Sequence, residues 1–309
     1  MRIVFLGSGA FGIATLESLV AQHEVVAVVS QPDRPAGRGK SLTPTPIAAR
    51  AAELGISVLK PADVNELVVR ETVRGYQADA WVVIAFGQKL SRELLDGVFA
   101  INLHGSLLPA YRGAAPIQRA VMDGCAETGV SVISLADRMD AGLVFATRAR
   151  AIGARETSDE VHDQLALLGP EVVGDVLARH AAGTLVGEVQ DESRATRARK
   201  LSKAEATVDF AALDAREARA RINGLNSWPG CTVLVGELPA KLLRVEECDG
   251  AAGEIGVLGP DGVVQARAGA VRILEIQPIG GRGMPVAEFL NGRPGLVGCA
   301  VRPFVPARS

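Results

Sequence analysis

Five short apolar runs, at residues 2–6, 24–30, 56–59, 80–86 and 99–103, recur along the first third of the chain with helical or loop segments between them. This βαβ rhythm predicts a mostly parallel sheet with helices on both faces. The helix signals agree with it. Thr45 and Pro46 stand at N-cap and N1 ahead of residues 47–54, and Gly55 closes that helix. Thr157 and Glu160 form a T-x-x-E capping box before an apolar-periodic stretch reaching about residue 180, which Pro170 is expected to kink or divide.

Between residues 189 and 206 the pattern lapses into VQDESRATRARKLSKAEA, a polar string in which Arg194, Arg197, Arg199, Lys200 and Lys203 are concentrated. It reads as an interdomain linker. Beyond it, strand-like runs at 231–235, 242–246, 255–258, 263–266 and 271–276 alternate with Gly, Pro and Asp turns, the spacing of a small antiparallel barrel or sandwich. The expected organisation is therefore an N-terminal α/β domain over 1–188, a basic linker over 189–206 and a smaller β-domain over 207–309. A chain of 309 residues is long enough for two such domains.

Composition removes several function classes. With 33 basic and 35 acidic residues the formal charge is −2, so no global field draws in nucleic acid, and any polyanion must be held by local patches. Aromatic residues make up only 4%, which argues against a surface that stacks many bases. No window approaches the roughly 18 apolar residues of a membrane span, and the run at 3–6 is too short for a signal peptide, so a cytoplasmic protein without membrane contact is expected. Cys125, Cys231, Cys248 and Cys299 form no Cys-x-x-Cys pair and have no adjacent His, so they read as reduced thiols and no metal site is expected.

Four stretches carry possible chemistry. Gly7-Ser8-Gly9-Ala10-Phe11-Gly12 is a G-x-G-x-x-G between a strand and a helix, the context of dinucleotide binding. The acid expected at the end of the second strand is missing, however: that strand ends in Ser30, and Asp33 lies in a Pro-rich loop. The motif alone is weak evidence for a dinucleotide, and the plainer reading is that the glycines allow a tight turn and close helix packing, or admit another ligand to a helix N-terminus. Next comes the long loop QPDRPAGRGK at 31–40, whose cations Arg34, Arg38 and Lys40 sit on a backbone unable to hide them in a helix face. They are suited to phosphates, although charge runs are more often merely solvated.

The third stretch, Asn102-Leu103-His104-Gly105-Ser106-Leu107-Leu108-Pro109, begins where an apolar strand ends. In open α/β sheets, ligands bind just outside the carboxyl ends of strands. Residues i and i+2 share a strand face, so the Asn102 amide and the His104 imidazole point together, a pair suited to polarising a carbonyl and handling charge at its oxygen. A structural His bonded to loop backbone is the competing reading. The fourth is Met139-Asp140-Ala141-Gly142, which follows the strand-like run 130–135. A carboxylate there would orient His104 if the two met, whereas most Asp-x-Gly strings are simply turns.

With these residues in hand, the chain resembles the methionyl-tRNA formyltransferase family over nearly its whole length. The matching strings, in order, are RIVFLGSGAFG, QPDRPAGRGK with TPTPI, AFG at 85–87, INLHGSLLPAYRGAAPIQRA, ETGVSVISLADRMDAG, VQDESRATRARKLSKAEA and NSWPG. Asn102, His104 and Asp140 match in type and spacing the Asn, His and Asp of enzymes that transfer formyl from 10-formyltetrahydrofolate. The resemblance implies a Rossmann-like, doubly wound N-terminal domain and an OB-like C-terminal barrel that helps to grip tRNA. It implies a folate donor lying against Phe86, Gly87, Gln88 and Leu90, the loop at Ser106, Leu107, Leu108 and Pro109, and the loop around Asp140, with no metal and no nicotinamide. It further implies initiator methionyl-tRNA as acceptor, met by Arg34, Arg38 and Lys40 and by Arg197, Lys200 and Lys203, and a monomer. Two departures stand out: Ala110 occupies the usual Arg position of SLLPRYRG, and Leu143-Val144-Phe145-Ala146 replaces the LDTG that usually follows MDAG.

The rivals are another formyltransferase, or a hydrolase, acting on the same folate, which would share the three residues and differ in acceptor. An NAD-dependent oxidoreductase using Gly7, Gly9 and Gly12, and a tRNA-binding module with an inactive catalytic domain, are the readings from other classes.

Overall fold

Alternating apolar runs become the strands of a seven-stranded sheet: β1 (Arg2–Gly7), β2 (Glu24–Val29), β3 (Val58–Leu59), β4 (Ala80–Ile84), β5 (Ala100–His104), β6 (Glu127–Ser134) and β7 (Val144–Ala151), in the spatial order β7-β6-β5-β4-β1-β2-β3. The computed structural model describes residues 1–36, 41–249 and 253–304. β1 pairs in parallel with both β2 and β4, so the winding direction reverses at β1, as in doubly wound sheets. β5 continues parallel to β4, whereas β6 is antiparallel to β5, making the sheet mixed. Its central strands are buried on both faces: Ile3, Val4, Phe5, Leu6, Val82 and Ile84 have no exposed surface, which explains their unbroken apolar runs. β7 was not expected from the sequence, because Thr147, Arg148 and Arg150 interrupt its apolar pattern; it is an edge strand, where charges are tolerated.

The helix signals hold locally. Thr45 caps the helix Pro46–Glu53 by accepting from the Ala48 N–H at 3.1 Å. The stretch beginning at the Thr157 box divides into helices Ser158–Ala166 and Gly169–Ala181, with Pro170 in the first turn of the second, where its missing N–H costs nothing.

The G-x-G-x-x-G glycines are consumed by packing. The N–H groups of Ser8 and Gly9 both donate to the Ala85 carbonyl, at 3.3 Å each, and so are not free to cradle a phosphate. A side chain at Gly7 would lie 2.9 Å from the Ile84 carbonyl, and one at Gly9 would lie 3.1 Å from Ala85 Cβ. These close approaches join the ends of β1 and β4.

The chain divides into two compact units, the first comprising 1–112, 129–150 and 162–197, the second 113–128, 151–161 and 198–309. The second thus includes two excursions from the N-terminal half. One contains the helix Pro116–Met122, which packs on the helix Ala215–Gly224 so closely that a Cβ at Gly224 would lie 2.9 Å from the Met122 nitrogen. The other carries Arg155 and Glu160, which pair with Glu246 and, at 2.7 Å, with Arg244.

In this second unit β8 (Cys231–Val235), β9 (Leu238–Cys248), β10 (Val263–Gln265), β11 (Ala270–Pro278), β12 (Met284–Pro285) and β13 (Val301–Pro303) form an antiparallel sheet of order β10-β11-β9-β8-β13, with β12 also on β11. Residues 255–258, expected as a strand, are not a regular one. Gly256, at φ +73°, bends them, yet Leu258 bridges Val264 and Val257 bridges Ala300, so the segment joins the two edges of the sheet and closes it towards a barrel. Val233, Val235, Leu242, Val245, Ile273, Ile276 and Phe289 fill the interior with no exposed surface or almost none.

Cys231 lies in that interior, where burial pushes its thiol up to about 12, only partly opposed by Arg221. Thiolate is the reactive form, so Cys231 is expected to resist alkylation in the native protein at pH 8 while half-buried Cys125 and Cys299 react, with Cys248, whose thiol burial also pushes up, reacting more slowly. Mass spectrometry of iodoacetamide-treated native and unfolded protein checks this; native labelling of Cys231 would contradict the packing described.

Candidate active site

β5 ends at the carboxyl edge of the sheet, and its register places Asn102 beside Val83 of β4 and Ile133 of β6, with His104 opposite Ser131. The period of two puts Asn102 and His104 on one face while Ile101 and Leu103 are buried on the other. Among the described residues, the Asn102 side-chain amide makes no hydrogen bond to protein.

Past His104 the backbone folds into a loop built from within. Ser131 Oγ donates to the Ser106 carbonyl at 2.7 Å and accepts from the Leu108 N–H at 3.0 Å, while Ser106 Oγ donates to the Ala110 carbonyl at 2.6 Å. Ala110 contributes backbone only, so its departure from the usual Arg leaves these bonds in place. The loop ends at Tyr111, whose φ of +60° turns its carbonyl towards His104 Nε2 at 2.9 Å. A carbonyl only accepts, so Nε2 carries a hydrogen and Nδ1 is the other face of the ring.

Nδ1 faces Asp140, whose Oδ2 lies 3.8 Å away, and the two side chains are only 8% and 15% exposed. The sequence could not show this meeting. It arises because the turn after β6 folds back on the strand: the Ser134 N–H donates to the Leu143 carbonyl at 2.9 Å, and the Leu143 N–H to Ser134 Oγ at 2.8 Å. Gly142 permits the approach, since a Cβ there would lie 1.8 Å from the Ser134 carbonyl oxygen. Asp140 itself sits at φ +55°, an unusual conformation for a residue with a side chain. The altered residues that follow keep the turn through backbone bonds, Val144 pairing with Glu188 at 2.8 Å in both directions.

Residues absent from the sequence reading support this turn. Gln190 donates to the Asp140 and Gly142 carbonyls at 2.8 Å each, and its oxygen accepts from Arg112 Nε and Nη2 at 2.9 and 2.7 Å. Arg112 also pairs with Glu192, whose carboxyl is held down at about 2 by hydrogen bonds from Arg112 and Arg138. Arg112 stands within INLHGSLLPAYRGAAPIQRA, but its charge gives no sign that it is buried.

Phe86 is buried among Val4, Leu6, Trp81 and Leu94, and its carbonyl accepts from Ser8 Oγ at 3.0 Å and Gln31 Nε2 at 2.9 Å. Gly87, at φ +82°, lies where a side chain would strike Gln31. The Gln88 amide is committed to Val64 N and Pro61 O. Leu90 opens onto a groove of about 660 Å³ lined by Leu95, Leu135, Asn65 and Ser91 and edged by the Arg92–Asp137 pair. Leu107 packs against Gly129, Leu108 is buried, and the Pro109 carbonyl accepts from Thr196 N at 3.3 Å.

Of the candidate phosphate contacts, Arg34 is exposed and bonded to Gln31, while Arg38 and Lys40 lie outside the described residues. Arg197, Lys200 and Lys203 are exposed, and none has an ion-pair partner among the described residues. No described group of His, Cys, Asp and Glu is arranged to hold a metal ion, and no described helix is long and apolar enough to cross a membrane.

Comparison with known proteins agrees with this architecture. The family models for formyl transferase and for the formyl transferase C-terminal domain match residues 1–177 and 200–294, so the chain belongs to the formyl transferase family. It is 40% identical over 301 residues to methionyl-tRNA formyltransferase of Methylococcus capsulatus, covering 94% of this chain and 96% of that one. It is 41% identical over 297 residues to that of Roseobacter denitrificans, covering 94% and 96%. Within the family, the chain therefore belongs with the methionyl-tRNA formyltransferases. The fold is shared with the N-formyltransferase from Helicobacter canadensis solved with folinic acid and dTDP-3-aminofucose, at a TM-score of 0.65 and 13% identity over 90% of this chain and 99% of that one.

Proposed function

We propose that this chain transfers the formyl group of 10-formyltetrahydrofolate to the α-amine of methionine on initiator methionyl-tRNA, with Asn102, His104 and Asp140 at the reacting centre. The observation that carries the reading is the placement of the Asn102 amide, which bonds no protein group among the described residues, on the same strand face as His104, whose Nδ1 looks towards the Asp140 carboxylate 3.8 Å away. At that separation Nδ1 and Asp140 make no direct hydrogen bond, which leaves Nδ1 able to meet an incoming oxygen.

The free α-amine attacks the formyl carbon and forms a C–N bond, placing negative charge on the former carbonyl oxygen. An unperturbed α-amine titrates near roughly 7.7–8.0, so a useful neutral fraction exists at neutral pH. Asn102 donates a hydrogen bond to that oxygen, and His104 in its protonated form donates from Nδ1 and stabilises its charge. Asp140 orients the imidazole. When the oxyanion collapses, the bond to the folate nitrogen breaks, and the proton lost by the amine is delivered to that nitrogen through solvent or a side chain within reach. The groove beside Leu90, Leu95 and Leu135 is lined mainly by polar and charged groups, among them Asn65, Ser91 and Asp137, which suits a heterocycle rich in hydrogen-bonding atoms such as the pterin.

The test is formyl transfer to methionine-charged initiator tRNA beside free methionine, with the wild-type protein and His104→Ala. Transfer to the charged tRNA only, abolished in the variant, is expected. tRNA bound without transfer would favour a binding module with an inactive catalytic domain.

The exposed cations of the 189–206 segment and Arg34, Arg38 and Lys40 are proposed to contact the tRNA backbone. Each phosphate contact contributes roughly 0.7–0.9 to the slope of log K against log salt. Arg197→Ala is expected to weaken tRNA binding and reduce that slope by about that amount, leaving folate binding unaltered. A slope identical to wild type would mark Arg197 as merely solvated.

A further inference from the structure

Both sides of the His104 imidazole end on one short stretch of chain, residues 190–196. On the Asp140 side, Gln190 is buried and uses both amide hydrogens, one on the Asp140 carbonyl and one on that of Gly142, at 2.8 Å each. Its orientation is unambiguous because its oxygen receives two bonds from Arg112, and a guanidinium only donates. On the other side, Thr196 Oγ1 accepts from the Tyr111 N–H at 2.8 Å, the Thr196 carbonyl accepts from Arg112 N at 2.9 Å, and Thr196 N donates to Pro109 O at 3.3 Å. Tyr111 in turn accepts from His104 Nε2. Asp140 and Tyr111 both hold positive φ, at +55° and +60°, conformations that persist in residues with side chains only when their surroundings over-determine them.

We propose that Gln190 and Thr196 are positioning residues for the reaction, Gln190 fixing the Asp140 turn and Thr196 fixing, through Tyr111, the carbonyl that orients His104. Buried Arg112 joins the two by bonding Gln190, Glu192 and Thr196 at once. The inference rests on the function proposed above, in which His104 and Asp140 act on the transferred formyl group. In the mechanism proposed above neither positioning residue acts on the reacting atoms, so their loss degrades the geometry of the groups that do. A displacement of about 1 Å in a reacting group typically costs on the order of 100-fold in rate.

Gln190→Glu separates the roles, because it keeps an acceptor for Arg112 while replacing both N–H donors by an oxygen that faces two carbonyls. The expected result is a 10- to 100-fold fall in kcat, with KM for folate and for tRNA within about threefold of wild type, measured at a temperature where the variant is folded. In an Asp140→Asn background the same substitution is expected to cost less than about twofold, since it acts through Asp140. Thr196 is exposed, so its variants should fold even where a Gln190 variant does not. Thr196→Val should lower kcat about 10-fold, and Thr196→Ser should restore it to within about threefold. Wild-type kcat in both Gln190→Glu and Thr196→Val, or losses that multiply fully with Asp140→Asn, would overturn the proposal while leaving the function standing. Wild-type turnover in Asp140→Asn alone would overturn both.

Discussion

Alanine at His104 is expected to lower kcat by about 100- to 1000-fold, and alanine at Asn102 by a similar factor. Each removes one group aimed at the oxygen on which charge develops, and losing one such donor typically raises the barrier by about 2.7–4 kcal/mol. The enzyme should otherwise be little changed, because among the described residues the Asn102 amide bonds no protein group and the polar partners of the His104 ring are Tyr111 and Asp140. Single-turnover formyl transfer with saturating folate and charged tRNA measures the step directly, and equilibrium folate titration provides the control. Unaltered turnover in both variants would remove the site from β5.

Alanine at Gly142 should damage both folding and rate. The added methyl would lie 1.8 Å from the Ser134 carbonyl oxygen and 2.7 Å from its carbonyl carbon, and backbone cannot swing aside as a side-chain tip can. The turn must open, breaking the Ser134–Leu143 pair of hydrogen bonds and drawing Asp140 away from His104. Forced overpacking of this kind costs about 1–3 kcal/mol of stability, and displacement of Asp140 should lower kcat at least 10-fold. Chemical denaturation with turnover at a temperature where the variant is folded separates the two effects. A variant equal to wild type in both would mean that the turn is not under the constraint its geometry implies.

How much of this was legible in the chain differs from element to element. The runs at 2–6, 80–86 and 99–103 became β1, β4 and β5 within one or two residues at either end, because a strand buried on both faces announces itself as unbroken apolar sequence. β7 was invisible for the opposite reason: an edge strand carrying Arg148 and Arg150 has no apolar period to read. The 255–258 run was apolar enough for a strand, but Gly256 let it serve both edges of the barrel at once. The G-x-G-x-x-G was read correctly as glycines at a strand–helix turn. Whether those glycines served a ligand or packing depended on Ala85, a residue some seventy positions away that accepts the Ser8 and Gly9 N–H groups.

The same division runs through the site. Sequence alone determined that Asn102 and His104 share a face at the end of a strand, since a period of two is a local property of extended backbone. Only the tertiary structure decided that Asp140 meets His104, that Gln190 holds the Asp140 turn, and that Arg112 is buried between Gln190 and Glu192. Those contacts join segments far apart in the chain through individual side-chain approaches, an imidazole facing a carboxylate, an amide bonded to backbone carbonyls and a guanidinium bonded to an amide and a carboxylate. Such approaches follow no periodicity, so nothing in the order of the residues marks them until the chain has folded.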